Sequence, residues 1–295
     1  MMLEWSFKYC DFTYLFKTDD NTFINIPNLF KVINSNYTNT RNVYMGRLVE
    51  YAIPTRNHST FGVTTEEYSG KYYPPFIYGG GVLFSYDVVR NLIPFFFPNP
   101  FKLEDVYTSL LAVNANITAK HSPLFKESKG ECSVADTTAV SLTIVDYELD
   151  WRVVEHCVQE MYFSMLNSNA HDNFVYSIYS RNKDVMDAAR RNGSLFKILG
   201  FHLDYRYLSN FNRSKLNKNI HAGKLISKFR CSPYSLKLVV TLLSHAGSFK
   251  RRKMVRKTWG KNIFSHCNND FRVFFVVAKV KDNEVISQVE KESEM

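Results

Sequence analysis

Two acidic pairs, one further aspartate and an arginine cluster are the parts of this sequence that could do chemistry. Residues Phe12 to Phe16 read FTYLF, a strand-sized apolar run that stops at Lys17-Thr18-Asp19-Asp20-Asn21. Adjacent carboxylates repel each other, and a hard divalent cation relieves that repulsion. In open α/β sheets ligands sit at the carboxyl ends of strands, where this pair falls. A D-D-N triplet is also what a turn with an Asx cap uses, so the spacing alone leaves both readings open. Glu104-Asp105 opens an apolar helical pattern. Acidic residues in a first helical turn complement the helix dipole, and a carboxylate held at a rigid helix start can also act as a general base. Asp146 ends the strand-like run Leu142 to Val145 and offers another oxygen donor. Arg251, Arg252 and Arg256 fall within about a turn and a half of helix, just after the apolar run Leu236 to Leu243. That placement suits a phosphate or a solvated helix face.

The elements that must hold these residues alternate. After FTYLF, Thr22 to Ile26 resumes an extended pattern, and Ile26 to Ile33 is a short helix with Pro27 near its start. Val43 to Ile53 alternates like a strand, and Glu66 to Pro75 is a polar, Tyr-rich loop. Gly79-Gly80-Gly81 permits close backbone approach and positive φ, and is expected as a tight turn before Val82 to Phe84 and a helix over Tyr86 to Leu92. Helices are expected over Asp105 to Ala115 and Leu149 to Met165, and a linker around Asn210 to Asn219. Strand Leu236 to Leu243, helix Ser248 to Trp259, strand Phe271 to Ala278 and a helix from Asp282 to Met295 make a βαβ pattern.

Composition narrows the class. The 295 residues are 45% hydrophobic and 22% charged, which excludes wholesale disorder. The 24 Phe and 18 Tyr favour a sheet-rich core. No apolar run reaches the ~18 residues of a membrane span, and the start of the chain has no signal-peptide pattern, so the chain as written is expected to lack an anchor. The net charge of +9 is uneven: Tyr205 to Asn269 holds 15 Lys and Arg and no Asp or Glu, against 22 basic and 28 acidic residues elsewhere. That block points to a solvated surface or an anionic partner. It has no Cys/His finger, KH loop or RNP aromatics, so a nucleic-acid partner is not expected. Five cysteines without a CxxC argue against a zinc ribbon. Five N-x-S/T sequons, at Asn36, Asn57, Asn116, Asn192 and Asn212, lean toward the secretory pathway.

In order, these pieces resemble the β-1,3-galactosyltransferase and β-1,3-N-acetylglucosaminyltransferase family, glycosyltransferase family 31. Lys17-Thr18-Asp19-Asp20-Asn21-Thr22-Phe23-Ile24-Asn25 resembles its K-x-D-D-D-x-F-x-N, with Asn21 where the third Asp stands. Pro54-Thr55-Arg56-Asn57 resembles P-x-R-N, and Phe61 to Tyr68 resembles W-x-V-x-x-E-E-Y. Tyr73 to Ser85 resembles Y-P-P-Y-x-x-G-G-G-Y-x-L-S, and Glu104-Asp105-Val106-Tyr107 resembles E-D-V-Y, with Ser109 in place of the usual Gly. Phe249 to Gly260 resembles R-R-x-x-I-R-x-T-W-G, which belongs near the start of that family's catalytic domain, and Phe274 to Ala278 resembles the strand that follows. Residues 1–166 thus resemble the back part of one catalytic domain and 231–295 the front part of a second, with a linker or stem-like region over 167–230.

The resemblance implies an α/β fold of the GT-A (Rossmann-like) kind, incomplete or in permuted order. It implies inverting transfer of galactose or N-acetylglucosamine from a UDP-sugar to a glycan hydroxyl in a β-1,3 linkage, within protein glycosylation. Asp105 matches the position of the base. Asp19, Asp20 and Asn21 match the Mn²⁺ (or Mg²⁺) motif, with Asp146 near where relatives carry a His. Arg251, Arg252 and Arg256 match the basic motif beside the nucleotide. The partners implied are the UDP-sugar and an acceptor glycan on glycoprotein or glycolipid. The place implied is the lumenal side of the Golgi membrane, through a signal anchor that this chain is expected to lack. A glycosyltransferase-like fragment without turnover is the rival expectation.

Overall fold

The run Phe12–Asp19 forms strand β1, in which every residue from Tyr14 to Thr18 is buried. A strand covered on both faces needs apolar residues on both, so FTYLF does not alternate. The computed structural model describes residues 2–36, 41–57, 61–128, 140–144, 236–260, 271–277 and 280–293. It places β1 inside a six-stranded sheet with β3 (Tyr44–Val49), β4 (Phe76–Ser85), β5 (Lys120–His121), β8 (Leu236–Ser244) and β9 (Phe271–Val277), in the order β5-β3-β4-β1-β8-β9. A smaller sheet, in the order β2-β7-β6, consists of β2 (Thr22–Ile24), β6 (Phe125–Ser128) and β7 (Ser141–Ile144).

β1 runs antiparallel to β4 and parallel to β8, with Phe16 opposite Val240 and Asp19 opposite Leu243. β8 is in turn parallel to β9, with Val240 opposite Val273. The two C-terminal strands therefore extend the sheet built by the N-terminal part. Parallel neighbours need a crossover, and between β8 and β9 the chain forms helix α5 (Phe249–Lys257).

The remaining helices are α1 (Met2–Tyr9), α2 (Ile26–Asn36), α3 (Tyr86–Leu92), α4 (Glu104–Asn114) and α6 (Asn283–Ser293). Tyr14, Phe16, Leu238, Val240 and Leu242 pack with Leu29 and Phe30 of α2, with Met254 and Val255 of α5, and with Trp259. Leu15, Val82, Phe84 and Val239 pack with Trp5 of α1 and with Val88, Val89 and Leu92 of α3. A third cluster, with Tyr68, Tyr73, Phe76 and Phe101, joins Val106 and Leu110 of α4 to the loop before β4. Arg56 holds that loop, donating to the carbonyls of Val63, Tyr68 and Gly70 at 3.0, 2.8 and 3.0 Å.

Two expectations change. The glycine triplet is no turn: Gly79, Gly80 and Gly81 lie inside β4. Their use is close approach, because a Cβ on Gly80 would overlap the Thr143 hydroxyl and one on Gly81 would come 3.0 Å from the Phe125 ring. The small sheet rests directly on the triplet. The strand expected over Val43 to Ile53 ends at Val49, since Tyr51 takes φ 56° and turns the chain out of the extended region. The expected helix over Leu149 to Met165, the linker around Asn210 to Asn219, and Val145, Asp146 and Ala278 lie outside the described residues.

Candidate functional site: a carboxylate cluster around Lys17

A strand's period of two sends Leu15, Lys17 and Asp19 to one face of β1. Leu15 remains in the core. The Lys17 side chain is 3% exposed, and Asp19, at the strand end, emerges to 39%. An ammonium is costly to bury unless it is paired. Lys17 Nζ lies 2.6 Å from Glu104 Oε2 and 3.5 Å from Asp19 Oδ1, and donates to the Gly79 carbonyl at 3.0 Å. Burial works to lower the Lys17 pKa, but Glu104, Asp19 and Asp105 outweigh it and hold the ammonium above the usual lysine range.

Gly79 is where the cluster converges. A Cβ there would sit 2.9 Å from Lys17 Nζ, 3.4 Å from Asp19 Oδ2 and 3.6 Å from Asp105 Oδ2. Two carboxylates therefore lie within 4 Å of the point that a Cβ on residue 79 would occupy and that the glycine leaves open. Asp105 reaches it from the first turn of α4, which is fixed to the loop before β4 where Ser109 Oγ donates to the Pro75 carbonyl at 2.6 Å. Burial pushes the Asp105 carboxyl up, Lys17 pulls it down, Glu104 pushes it up, and the N–H groups of Asp105 and Val106 pull it down; the net is a raised pKa. Burial likewise pushes Asp19 up to about 6, against Lys17 and with Glu104 and Asp105. A carboxylate with a raised pKa accepts a proton more readily than an ordinary aspartate.

Asp20 belongs to a second group. It lies in the turn after β1, buried, and its backbone N–H donates to the Leu243 carbonyl at 3.1 Å. Ser244 Oγ donates to Asp20 Oδ2 at 2.7 Å, and Arg251 Nη1 donates to Asp20 Oδ1 at 3.1 Å. The three arginines divide their work. Arg251 is 40% exposed. Arg252 is buried and committed within the protein: it donates to Ser244 Oγ at 3.0 Å, to the carbonyls of His245 and Ala246 at 2.6 and 2.8 Å, and to Glu292 at 2.9 Å. Arg256 pairs with the other oxygen of Glu292 at 2.5 Å and lies over the Phe275 ring. The arginine that touches Asp20 is Arg251, and Arg252 reaches it only through Ser244.

Among the described residues the donor set does not fit a divalent cation. Both Asp20 oxygens already accept hydrogen bonds from Ser244 and Arg251, and Asp19 Oδ1 faces an ammonium. Asn21, half-buried in the same turn, brings an amide and no charge. Among the described residues no group of three or more His, Cys, Asp and Glu side chains is arranged to hold a metal ion. Asp146 lies outside those residues.

Three contributors escape a reading of chemical motifs one by one: Lys17, Ser244 and Glu292. For Lys17 a signal exists, a charge at the end of an otherwise apolar strand and two positions before a carboxylate. Ser244 and Glu292 carry no such mark, because their importance comes from partners distant in sequence.

The family described as galactosyltransferase matches residues 1–123. Human beta-1,3-galactosyltransferase 9 is 28% identical over 127 residues, 42% of this chain and 34% of the relative. Beta-1,3-galactosyltransferase 5 of Mus musculus is 32% identical over 125 residues, 40% of this chain and 39% of the relative. N-acetyllactosaminide beta-1,3-N-acetylglucosaminyltransferase 4 of Mus musculus is 26% identical over 115 residues, 38% of this chain and 33% of the relative. The chain spans about a third to two fifths of the length of these curated relatives. Lys17, Asp19, Asp20, Glu104 and Asp105 fall inside the stretch that the family matches, and Arg251, Arg252 and Arg256 fall beyond it.

Proposed function

We propose, on the premise that residues 1–123 belong to the galactosyltransferase family, glycosyltransferase family 31, that this chain is a UDP-sugar-dependent hexosyltransferase. It transfers galactose or N-acetylglucosamine to a glycan hydroxyl with inversion, in a β-1,3 linkage. The observation that carries the reading is the convergence of Asp105, Asp19 and Lys17 on Gly79. The acceptor oxygen attacks the anomeric carbon, the bond from that carbon to the diphosphate oxygen breaks, and the acceptor proton passes to Asp105. UDP leaves with the bonding electron pair. The raised pKa of Asp105 suits this task, for which a positioned base typically contributes ~10² to 10⁴ in rate. Arg251, half-exposed and paired with Asp20 beside the carboxylate cluster, is the arginine placed to meet the diphosphate. Ser244 donates to the same carboxylate of Asp20, and Arg252 in turn donates to Ser244. No step is assigned to Mn²⁺, because the donor set among the described residues does not fit one.

The fold proposed is GT-A, with its segments in permuted order: 1–166 as the back part of a catalytic domain, 231–295 as a front part, and 167–230 between them. The parallel pairing of β1 with β8 supports it. The place proposed is the Golgi lumen. Cys10 is disulfide-bonded, which suits an oxidising compartment, and the sequon asparagine Asn116 is exposed. No helix among the described residues is long and apolar enough to cross a membrane.

A second reading, a glycosyltransferase-like protein or fragment without turnover, is favoured by the amide at Asn21. UDP release from UDP-galactose and UDP-N-acetylglucosamine, with a β-galactoside or N-acetylglucosaminide acceptor, separates the two. The transferase reading expects acceptor-dependent release that falls at least ~100-fold in Asp105→Asn. Release no faster than that of the variant leaves the fragment reading standing.

A further inference from the structure

We infer that Lys17 is a built-in counter-cation and a positioning residue: its ammonium assembles Asp19, Glu104 and Asp105 around Gly79, so that the site takes a nucleoside diphosphate without a divalent metal ion. The nucleotide half of this inference rests on the transferase reading, and the Lys17 half stands on geometry alone.

Lys17 is in the right place for the task. Its side chain is 3% exposed, so water does not screen it. The groups that face it are the Glu104 carboxylate at 2.6 Å, the Asp19 carboxylate at 3.5 Å, the Gly79 carbonyl at 3.0 Å, and Asp105, whose Oδ2 converges on the same glycine. Three carboxylates brought this close repel one another. An external cation relieves such repulsion at a site that leaves ligand oxygens open. Here one cation is covalently attached and enclosed, and it spans three elements: β1 through its own backbone, β4 through Gly79, and α4 through Glu104.

The neighbouring carboxylate repeats the pattern. Asp20 meets the guanidinium of Arg251 and the hydroxyl of Ser244. Both members of the Asp19-Asp20 pair thus face protein cations, and Asn21 adds no charge to draw a metal. The glycine suits this placement, since a Cβ at Gly79 would come 2.9 Å from Lys17 Nζ and the ammonium would have to shift. The half-exposed Arg251 supplies positive charge to a diphosphate directly.

The test uses the full chain, with Mn²⁺ alone followed by the loss of its free-ion electron paramagnetic resonance signal, and UDP followed by titration calorimetry in EDTA and in Mn²⁺. Unmodified protein should leave the Mn²⁺ signal intact up to about 1 mM, at the weak end of protein cation sites. UDP should bind in EDTA, with an affinity that Mn²⁺ changes by less than about 3-fold. Lys17→Met, stripped of its counter-cation, should bind Mn²⁺ at least ~10-fold more tightly than the unmodified chain, and Lys17→Arg should not. In turnover, Lys17→Met should lower kcat at least ~10-fold with the donor KM within about 3-fold, and Lys17→Arg should recover part of it. A purely structural lysine would instead change the yield of folded protein and leave kcat per folded site intact. Submillimolar Mn²⁺ binding by the unmodified protein, or a ~10-fold gain in UDP affinity with Mn²⁺, overturns the inference. Both measurements need no variant, so they decide it even where Lys17→Met does not fold. Absence of UDP binding in either buffer defeats the transferase reading and with it the nucleotide half, while the Mn²⁺ measurement still decides the role of Lys17.

Discussion

Arg251 donates to Asp20 at 3.1 Å across 231 residues of chain. The contact exists because β8 lies parallel to β1 with Leu243 opposite Asp19, which brings the two strand ends to one edge of the sheet. Burial of the two partners is unequal: Asp20 is 9% exposed at the side chain and Arg251 40%. Such a half-exposed pair adds little to stability, because water competes for the guanidinium.

Arg251→Met should therefore lower the free energy of unfolding by no more than about 1 kcal/mol. UDP affinity should fall about 10-fold or more in the same variant, since a charge-assisted contact to the diphosphate is lost. Urea melts beside calorimetric titrations of UDP separate the two effects. Unchanged UDP affinity would remove Arg251 from the binding site.

Arg252→Met should behave in the opposite way. Its guanidinium is buried against Glu292 and the carbonyls of His245 and Ala246. Removing it leaves a buried carboxylate partly unpaired and two carbonyls without their donor, a loss of about 3 to 5 kcal/mol. Glu292→Gln should cost less, because the amide oxygen still accepts from one arginine. A variant Arg252→Met as stable as the unmodified chain would show that the Glu292 clamp does not hold α6 to α5.

Gly80→Ala should cost about 1 to 3 kcal/mol, as expected for an overpacked core. The added methyl would overlap the Thr143 hydroxyl, which is itself 3.0 Å from the hydroxyl of Thr22. In the double variant with Thr143→Ala the cost should fall below the sum of the two single costs. Strict additivity would mean that β7 moves away from β4 freely.

How much of this was legible in the sequence depended on the range of the interaction. The strands Phe12 to Phe16, Leu236 to Leu243 and Phe271 to Val277 announce themselves as apolar runs, and the acidic start of α4 is local too. The glycine triplet misled because its reason is not local: Thr143 and Phe125, from the small sheet, press on it. Phe125–Ser128 pairs in parallel with Ser141–Ile144, and nothing in four residues of mixed polarity signals it. At the site, the carboxylates at Asp19, Asp20 and Asp105 were legible by type. Their division was not, because only the fold sets Asp19 beside Lys17 and Asp20 beside Arg251. Of three similar arginines, burial alone distinguishes the committed Arg252 from the half-exposed Arg251.

The raised and lowered carboxyls predict a stability optimum on the acid side. Burial holds Asp19 up to about 6 in the folded chain, and Asp105 is shifted in the same direction. Unfolded, both titrate near the ordinary aspartate value of about 4. Between those values the folded state binds more protons than the unfolded one, so stability falls as pH rises through the window from about 4 to 6. Glu292 acts with the opposite sign. Burial alone would raise it, but Arg252 and Arg256 hold it below the usual range. Its contribution is present above the ordinary glutamate value of about 4.3 and is lost as pH falls through the folded value. Lys17, held above the lysine range, stays charged throughout and adds no slope. Urea midpoints taken from about pH 3 to pH 7 should therefore rise to a maximum between about pH 4 and 5 and then decline. Asp19→Asn should flatten the decline, and Glu292→Gln should flatten the acid limb. Midpoints that climb steadily from about pH 4 to pH 6 would show that Asp19 and Asp105 are not held up, and Asp105 would lose the basicity its proposed role as proton acceptor requires.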